Sequence, residues 1–179
     1  MNEILEMLQG GDRRSIGRAD EVVERVWKNP SDFKFLFQGF YENDPVIRMR
    51  TADAVEKITA TAPELLIPYK QDLLDLIHQI DQMEVLWHFA QIIPRLHLSP
   101  DEMNALYPSM VGYLSHPSAI VKTFTLQCLY DLSLQEPTLL PATISHLQDG
   151  LKCSQKAVQS RSRKLLALLE KENHARQNK

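Results

Sequence analysis

An internal repeat constrains this chain more than any other feature, because a fixed recurrence of one pattern dictates an array of like units before any single residue is considered. The clearest unit runs Asp44-Pro45-Val46-Ile47-Arg48-Met49-Arg50-Thr51-Ala52-Asp53-Ala54-Val55-Glu56-Lys57-Ile58. Shifted back by 32 residues, Arg18 to Val26 lies over Arg50 to Ile58, with Arg18 on Arg50, Val23 on Val55, Glu24 on Glu56 and Arg25 on Lys57. The frame recurs at Val85 to Leu96, Val121 to Leu132 and Val158 to Leu169. Asp12, Asp44, Asp81, His116 and Ser154 open the frames, at spacings of 32, 37, 35 and 38 residues. Spacing this irregular fits helical hairpins joined by variable loops and fits a strict heptad coil poorly.

Each unit carries a second helical pattern. Leu65, Leu66, Tyr69, Leu73, Leu74 and Ile77 fall on one helical stripe, as do Met103, Leu106, Met110, Tyr113 and Leu114. Leu139, Ile144, Leu147 and Leu151 repeat the theme, and Ile4, Leu5 and Leu8 mark a short first helix. Pro63, Pro100 and Pro137 stand where a helix begins and a missing N–H costs nothing. Asp44 and Ser99 are placed as N-caps. No segment alternates with period two for the length of a strand, so the expected class is all-α.

With 44% hydrophobic and 24% charged residues, the 179-residue chain has the balance of a globular protein. No apolar run approaches the roughly 20 residues needed to cross a bilayer, and Glu3 and Glu6 stand where a signal peptide needs basic residues. The expectation is a cytoplasmic chain without membrane contact. Cys128 and Cys153 lie in helical patterns and read as small packing residues.

Asp44-Pro45-Val46-Ile47-Arg48, followed by Ala52, Ala54, Val55 and Ile58, resembles the second helix of a HEAT repeat. The resemblance covers nearly the whole chain; it is sharp in the Asp44 unit and faint in the last. The chain is also similar to small stand-alone HEAT-repeat proteins of bacteria, which have no defined activity. It implies an α-α superhelix, a right-handed solenoid of about five helical hairpins, formed by residues 1–172 and followed by a polar tail at 173–179. In such stacks the second helix of each pair lines the concave surface.

Within the Asp44 unit, Ile47, Thr51, Ala54, Val55 and Ile58 form an apolar stripe, while Val46, Arg50, Asp53 and Lys57 form the side expected to face water. Aligned down the repeats, that side gives columns: Arg18, Arg50, His88, Phe124 and Arg161; Glu21, Asp53, Gln91, Gln127 and Lys164; Arg25, Lys57, Arg95, Asp131 and Leu168. Trp87 falls beside them and Trp27 reads as packing between repeats. The second-helix segments (13–28, 46–60, 82–96, 117–132, 155–171) hold 15 Lys and Arg against 8 Asp and Glu, net +7, while the remainder is net −10.

The leading reading is a monomeric, non-catalytic adaptor that takes a protein or peptide segment along this face. Arg50, Arg95 and Lys122 would meet acidic side chains and Trp87 would supply an apolar anchor, with Arg18, Asp53, His88 and Arg161 on the same binding face. Gln91 and Gln127 would hold extended backbone. The alternative is nucleic-acid binding through the basic layer, as in HEAT-like alkylpurine DNA glycosylases. Trp87, His88 and Tyr130 fit it superficially, but no unpaired acid sits beside Trp87 on its helix face and the central repeats lack a dense basic track. No HExxH, CxxC, GxGxxG, P-loop or GxSxG pattern occurs. The histidines at 78, 88, 97, 116, 146 and 174 lack ligand spacing and read as surface or loop residues. This reading calls for no cofactor and no metal.

Overall fold

Asp44 and Pro45 start α4 (Pro45–Thr59) as their chemistry requires: the Asp44 carboxylate accepts the Val46 N–H at 2.8 Å, and proline takes the first turn. The computed structural model describes residues 2–177, with side-chain surroundings for 2–171. Among the described residues every regular element is helical and none is a strand. The chain divides into two compact units, Met1–His97 and Leu98–Lys179.

The first unit holds α1 (Glu3–Leu8), α2 (Ala19–Lys28), α3 (Phe33–Phe37), α4, α5 (Lys70–Leu76) and α6 (Met83–Ile92), with 3₁₀ turns at Pro30–Asp32, Gln38–Tyr41, Pro63–Tyr69 and Ile93–Arg95. Helix α2 packs on α4 and α4 on α6, while α1, α3 and the turns at 38–41 and 63–69 also pack against α4. The expected stripe of Ile47, Thr51, Ala54, Val55 and Ile58 is fully buried. Ile47, Val55 and Ile58 each contribute roughly 1.5–3 kcal/mol by leaving water. An aromatic cluster completes this core: Phe37 stacks on Tyr69 with centroids 4.2 Å apart, and Phe40 lies 5.2 Å from Phe89.

The second unit holds α7 (Pro100–Gly112), α8 (Ala119–Gln135), α9 (Leu140–Lys152) and α10 (Lys156–Gln177), with turns at Tyr113–Ser115 and Pro137–Leu139. Helix α8 packs on α7, α9 and α10, and α9 on α10. Leu126, Tyr130, Leu147, Val158, Leu165 and Leu169 form its buried cluster. Ser99 caps α7 reciprocally with Glu102, its hydroxyl accepting the Glu102 N–H while the Glu102 carboxylate accepts the Ser99 N–H.

Two close approaches repeat across the units. A Cβ on Gly39 would lie 2.0 Å from Thr51 Oγ1, and one on Gly150 would lie 2.1 Å from Ser162 Oγ. Glycine here lets the first element of a hairpin lie against the second. Thr51, Thr125 and Ser162 occupy one aligned column, all fully buried, with hydroxyls that find no partner among the described residues.

Several expectations are corrected. The helix expected at 13–28 begins only at Ala19; residues 9–18 form a loop with Gly10, Gly11 and Gly17 at positive φ. The helix read from the stripe at 65–77 is split into a 3₁₀ turn and α5, because Pro68 offers no N–H and disfavours helical geometry at Ile67. Pro94 likewise ends α6 at Ile92. Trp27, expected to pack between repeats, stands 55% exposed. Of the tail read at 173–179, the backbone of α10 continues to Gln177, while 178–179 and all the side chains, including that of His174, lie outside the described residues. No described helix is long and apolar enough to cross a membrane.

Candidate functional site

The face expected to stay wet is largely covered, and the correction has one cause. A helix in a layer has neighbours on both flanks as well as beneath, so side chains beside the apolar stripe meet protein before they meet water. Arg50 is 2% exposed and His88 is 3% exposed. Neither stands on an open ridge.

Arg50 reaches away from that ridge, beneath the loop that follows α1. Its Nη1 donates to the carbonyls of Leu8 at 2.8 Å and Gln9 at 3.0 Å, Nε donates to Ser15 O at 3.1 Å, and Nη2 to Asp12 O at 3.5 Å. These carbonyls include the C-terminal ones of α1, which have no helical partner of their own. Gly17, at φ +57°, closes over the guanidinium so tightly that a Cβ would lie 2.6 Å from Arg50 Cζ. Arg18, at the start of α2, is exposed and its Nε and Nη2 donate to the Glu21 carboxylate one turn on. That exposed pair raises the arginine and lowers the acid.

Asp53 and Lys57, one turn apart on α4, meet at 2.8 Å, and Lys57 Nζ also donates to Asp20 Oδ1 on α2 at 2.7 Å. Burial pushes the Asp53 carboxyl up against the pull of Lys57. Burial also opposes the charge on Lys57, but the two carboxylates outweigh it and hold its pKa above the usual value. Arg95 Nη1 donates to Glu56 O at 2.6 Å and to Thr59 Oγ1 at 3.0 Å, and its Nη2 to the Glu56 carboxylate, capping the end of α4. His88 is driven down to about 3 by burial, with Lys57 and Arg95 adding to the effect, so its imidazole is neutral. Its Nδ1 is buried without a partner among the described residues, and the Trp87 ring lies 3.5 Å from it between centroids. Trp87 is half-buried, and Gln91 donates to its carbonyl at 3.3 Å.

In the second unit Gln127 donates to Asp131 at 2.8 Å and accepts from Arg161 Nη1, whose guanidinium carbon lies 6.0 Å from the Phe124 ring centroid. Burial raises the Asp131 carboxyl, while Gln127 and Arg161 draw it back. Lys122 lines a cavity of about 220 Å³ with His146, Asp149 and Cys153 over Leu126 and Val158. Cys128 and Cys153 are free thiols, and burial holds the Cys128 thiol well above its usual range.

One rule unites these contacts. Lys57 reaches Asp20, 37 residues earlier; Arg95 reaches Glu56, 39 earlier; Arg161 reaches Gln127, 34 earlier. Each separation is about one repeat, so the basic residues of one second helix bind polar groups of the preceding one. The structure thus brings Asp53, Lys57 and Asp20 together, and Arg95 with Glu56 and Thr59, while Arg18 and Arg50 are held elsewhere in the first unit. Asp20, Glu56 and Thr59 were not singled out from sequence, although their one-repeat spacing from Lys57 and Arg95 carries the signal. Trp27 lies seven residues after Asp20, on the same side of α2, and that spacing is the sign in the sequence that it shares the polar face. Among the described residues no group of three or more His, Cys, Asp or Glu side chains is arranged to hold a metal ion. Comparison with protein-family models, with characterised proteins and with solved structures finds no match.

Proposed function

We propose that the chain is a non-catalytic, HEAT-like helical-repeat scaffold that binds a protein or peptide segment on the second-helix face of its first unit. Layered packing of α2 on α4 and α4 on α6 supports the repeat reading, as do the polar ties one repeat apart. The observation that carries the binding reading is Trp27: a tryptophan 55% exposed on α2, on the side that Asp20 shares with Lys57. Tryptophan combines a large apolar area with one N–H donor and is enriched among residues that dominate interface energies. Trp27 and the half-buried Trp87 serve as anchors, with Gln91 for backbone and the Asp20–Lys57–Asp53 group as a polar rim.

The alternative through nucleic acid has less support, because Arg50, Lys57, Arg95 and Arg161 already bind groups within the protein. A phosphate track needs such cations free to replace counterions. The test is capture from source lysate by the full chain, with and without nuclease, against Trp27→Ala and Trp87→Ala. Nuclease-resistant partners lost with Trp27→Ala support the scaffold reading. Capture that disappears with nuclease favours nucleic acid, and capture indifferent to both variants removes this face as the site.

A further inference from the structure

Arg48 lies on α4 but serves a different surface from the second-helix face. Its Nε donates to Gln82 Oε1 at 2.9 Å, and its Nη1 donates to the carbonyls of Glu42 at 2.7 Å and Asn43 at 3.1 Å. Gln82 is fixed in turn by donating to Pro45 O at 2.8 Å. These bonds lock the guanidinium in place, yet every acceptor is neutral. Among the described residues Nη2 has no acceptor and Arg48 forms no ion pair.

Beside it opens a pocket of about 350 Å³, with Phe40, Leu76 and Ile80 on its apolar side and Glu42 and Asp81 in the same lining. Neither carboxylate is paired with a cation among the described residues. Opposite charges therefore share one pocket without meeting, across a gap wider than an ion pair spans. Fixed donors, separate acceptors and an apolar wall are the ingredients of a small-ligand site, and the volume reaches the range such sites occupy. A purely anionic ligand would face two carboxylates, and a purely cationic one would face the guanidinium. A ligand carrying both signs satisfies both.

We propose that this pocket binds a small zwitterion of the α-amino-acid class. Its carboxylate takes the unused Nη2 donors of Arg48, its ammonium lies toward Glu42 and Asp81, and its side chain rests against Phe40, Leu76 and Ile80. A guanidinium already held by neutral acceptors gives up no ion pair to accept this carboxylate.

The test is titration calorimetry on the full chain with L-leucine, L-phenylalanine, L-glutamate and L-lysine, beside the amide and the N-acetyl form of whichever binds. At least one free amino acid gives a saturating single-site isotherm, and each blocked form, lacking one charged contact, binds about tenfold weaker or worse. Asp81→Asn, a change at an exposed side chain that makes no bond among the described residues, weakens the free amino acid and its amide but leaves the N-acetyl form unchanged. Arg48→Lys, checked for folding by circular dichroism, weakens the free amino acid and the N-acetyl form. No binding by any of the four at about 10 mM overturns the proposal, that being already weaker than a useful site. Equal binding of free and blocked forms, or indifference to Asp81→Asn in a folded protein, overturns it too.

Discussion

Arg50 Nη1 donates to Leu8 O at 2.8 Å, tying the middle of α4 to the end of α1 across 42 residues of chain. The bond is buried and is joined by those to Gln9 and Ser15, so a single side chain organises the loop between the first two helices.

Replacing Arg50 with Ala strands the buried Leu8 carbonyl and three part-buried ones, a loss of about 1–3 kcal/mol for the buried group, and the expected total is about 3 kcal/mol of unfolding free energy. Arg50→Glu is worse, since it sets a carboxylate against the same oxygens. Gly17→Ala places a methyl group against the guanidinium at a backbone angle that L-residues avoid, and loses about 1–3 kcal/mol. Urea denaturation of the three variants checks this. A wild-type midpoint for Arg50→Ala would mean that water replaces the guanidinium without cost.

His88 makes stability pH-dependent in a fixed direction. Its folded pKa is near 3 against an ordinary value of 6.5, so its neutral form favours the fold fully above about pH 6.5. Between there and pH 3 the unfolded chain takes up a proton that the folded chain refuses, and stability falls as pH falls. The contribution approaches about 1.4 kcal/mol per pH unit in the middle of that window. His88→Gln, compared with wild type from pH 4 to 8, shows a shallower slope. Parallel slopes would mean that the imidazole is accessible to protons in the folded state.

Gly150→Ala inside α9 ought to strengthen an exposed helix by up to about 1 kcal/mol. Against Ser162, 2.1 Å from the new methyl group, it is expected instead to destabilise by about 1–2 kcal/mol. Ser162→Ala leaves a 3.3 Å approach to the Ser162 Cβ and so restores part of the loss. Thermal melts of the two single variants and the double give the coupling, and additive effects would show that the helices separate freely.

The two thiols differ in access. Cys128 is fully buried with its thiol held protonated, whereas Cys153 is partly exposed and lines a cavity. A thiol reagent at neutral pH should modify Cys153 in the native protein and Cys128 only after denaturant is added, as peptide mapping will show. Prompt labelling of Cys128 would place it on a surface that opens locally.

Trp27→Ala should leave stability within about 0.5 kcal/mol of wild type, as surface replacements do. Its fluorescence provides the companion check. An indole 55% exposed emits at the red end of the tryptophan range and is readily quenched by iodide, so an emission lost from the variant should be the quenchable part.

Caps, helix starts and apolar stripes were legible because they are local. Asp44, Ser99 and the prolines at 45, 63, 100 and 137 act on backbone groups within a turn of themselves, and Ile47, Val55 and Ile58 follow helical periodicity whatever they pack against. The aligned columns also held a real signal, since Lys57, Arg95 and Arg161 each find a partner about one repeat earlier.

Tertiary structure decided which charged positions remain open to another molecule. Periodicity states which side of a helix avoids water, but not how much of the other side its neighbours cover. Arg50 and His88 read as a wet face and are buried, while Trp27 reads as packing and is exposed. Arg48, one turn from the cap of α4, gives no sign in sequence of the pocket it serves, because Gln82, which holds it, and Asp81, which lines the pocket, come from a loop more than thirty residues away. The sequence by itself determined the helices, through interactions within a few residues. Exposure and charge pairing followed from contacts more than thirty residues apart, which only the folded chain brings within hydrogen-bonding distance.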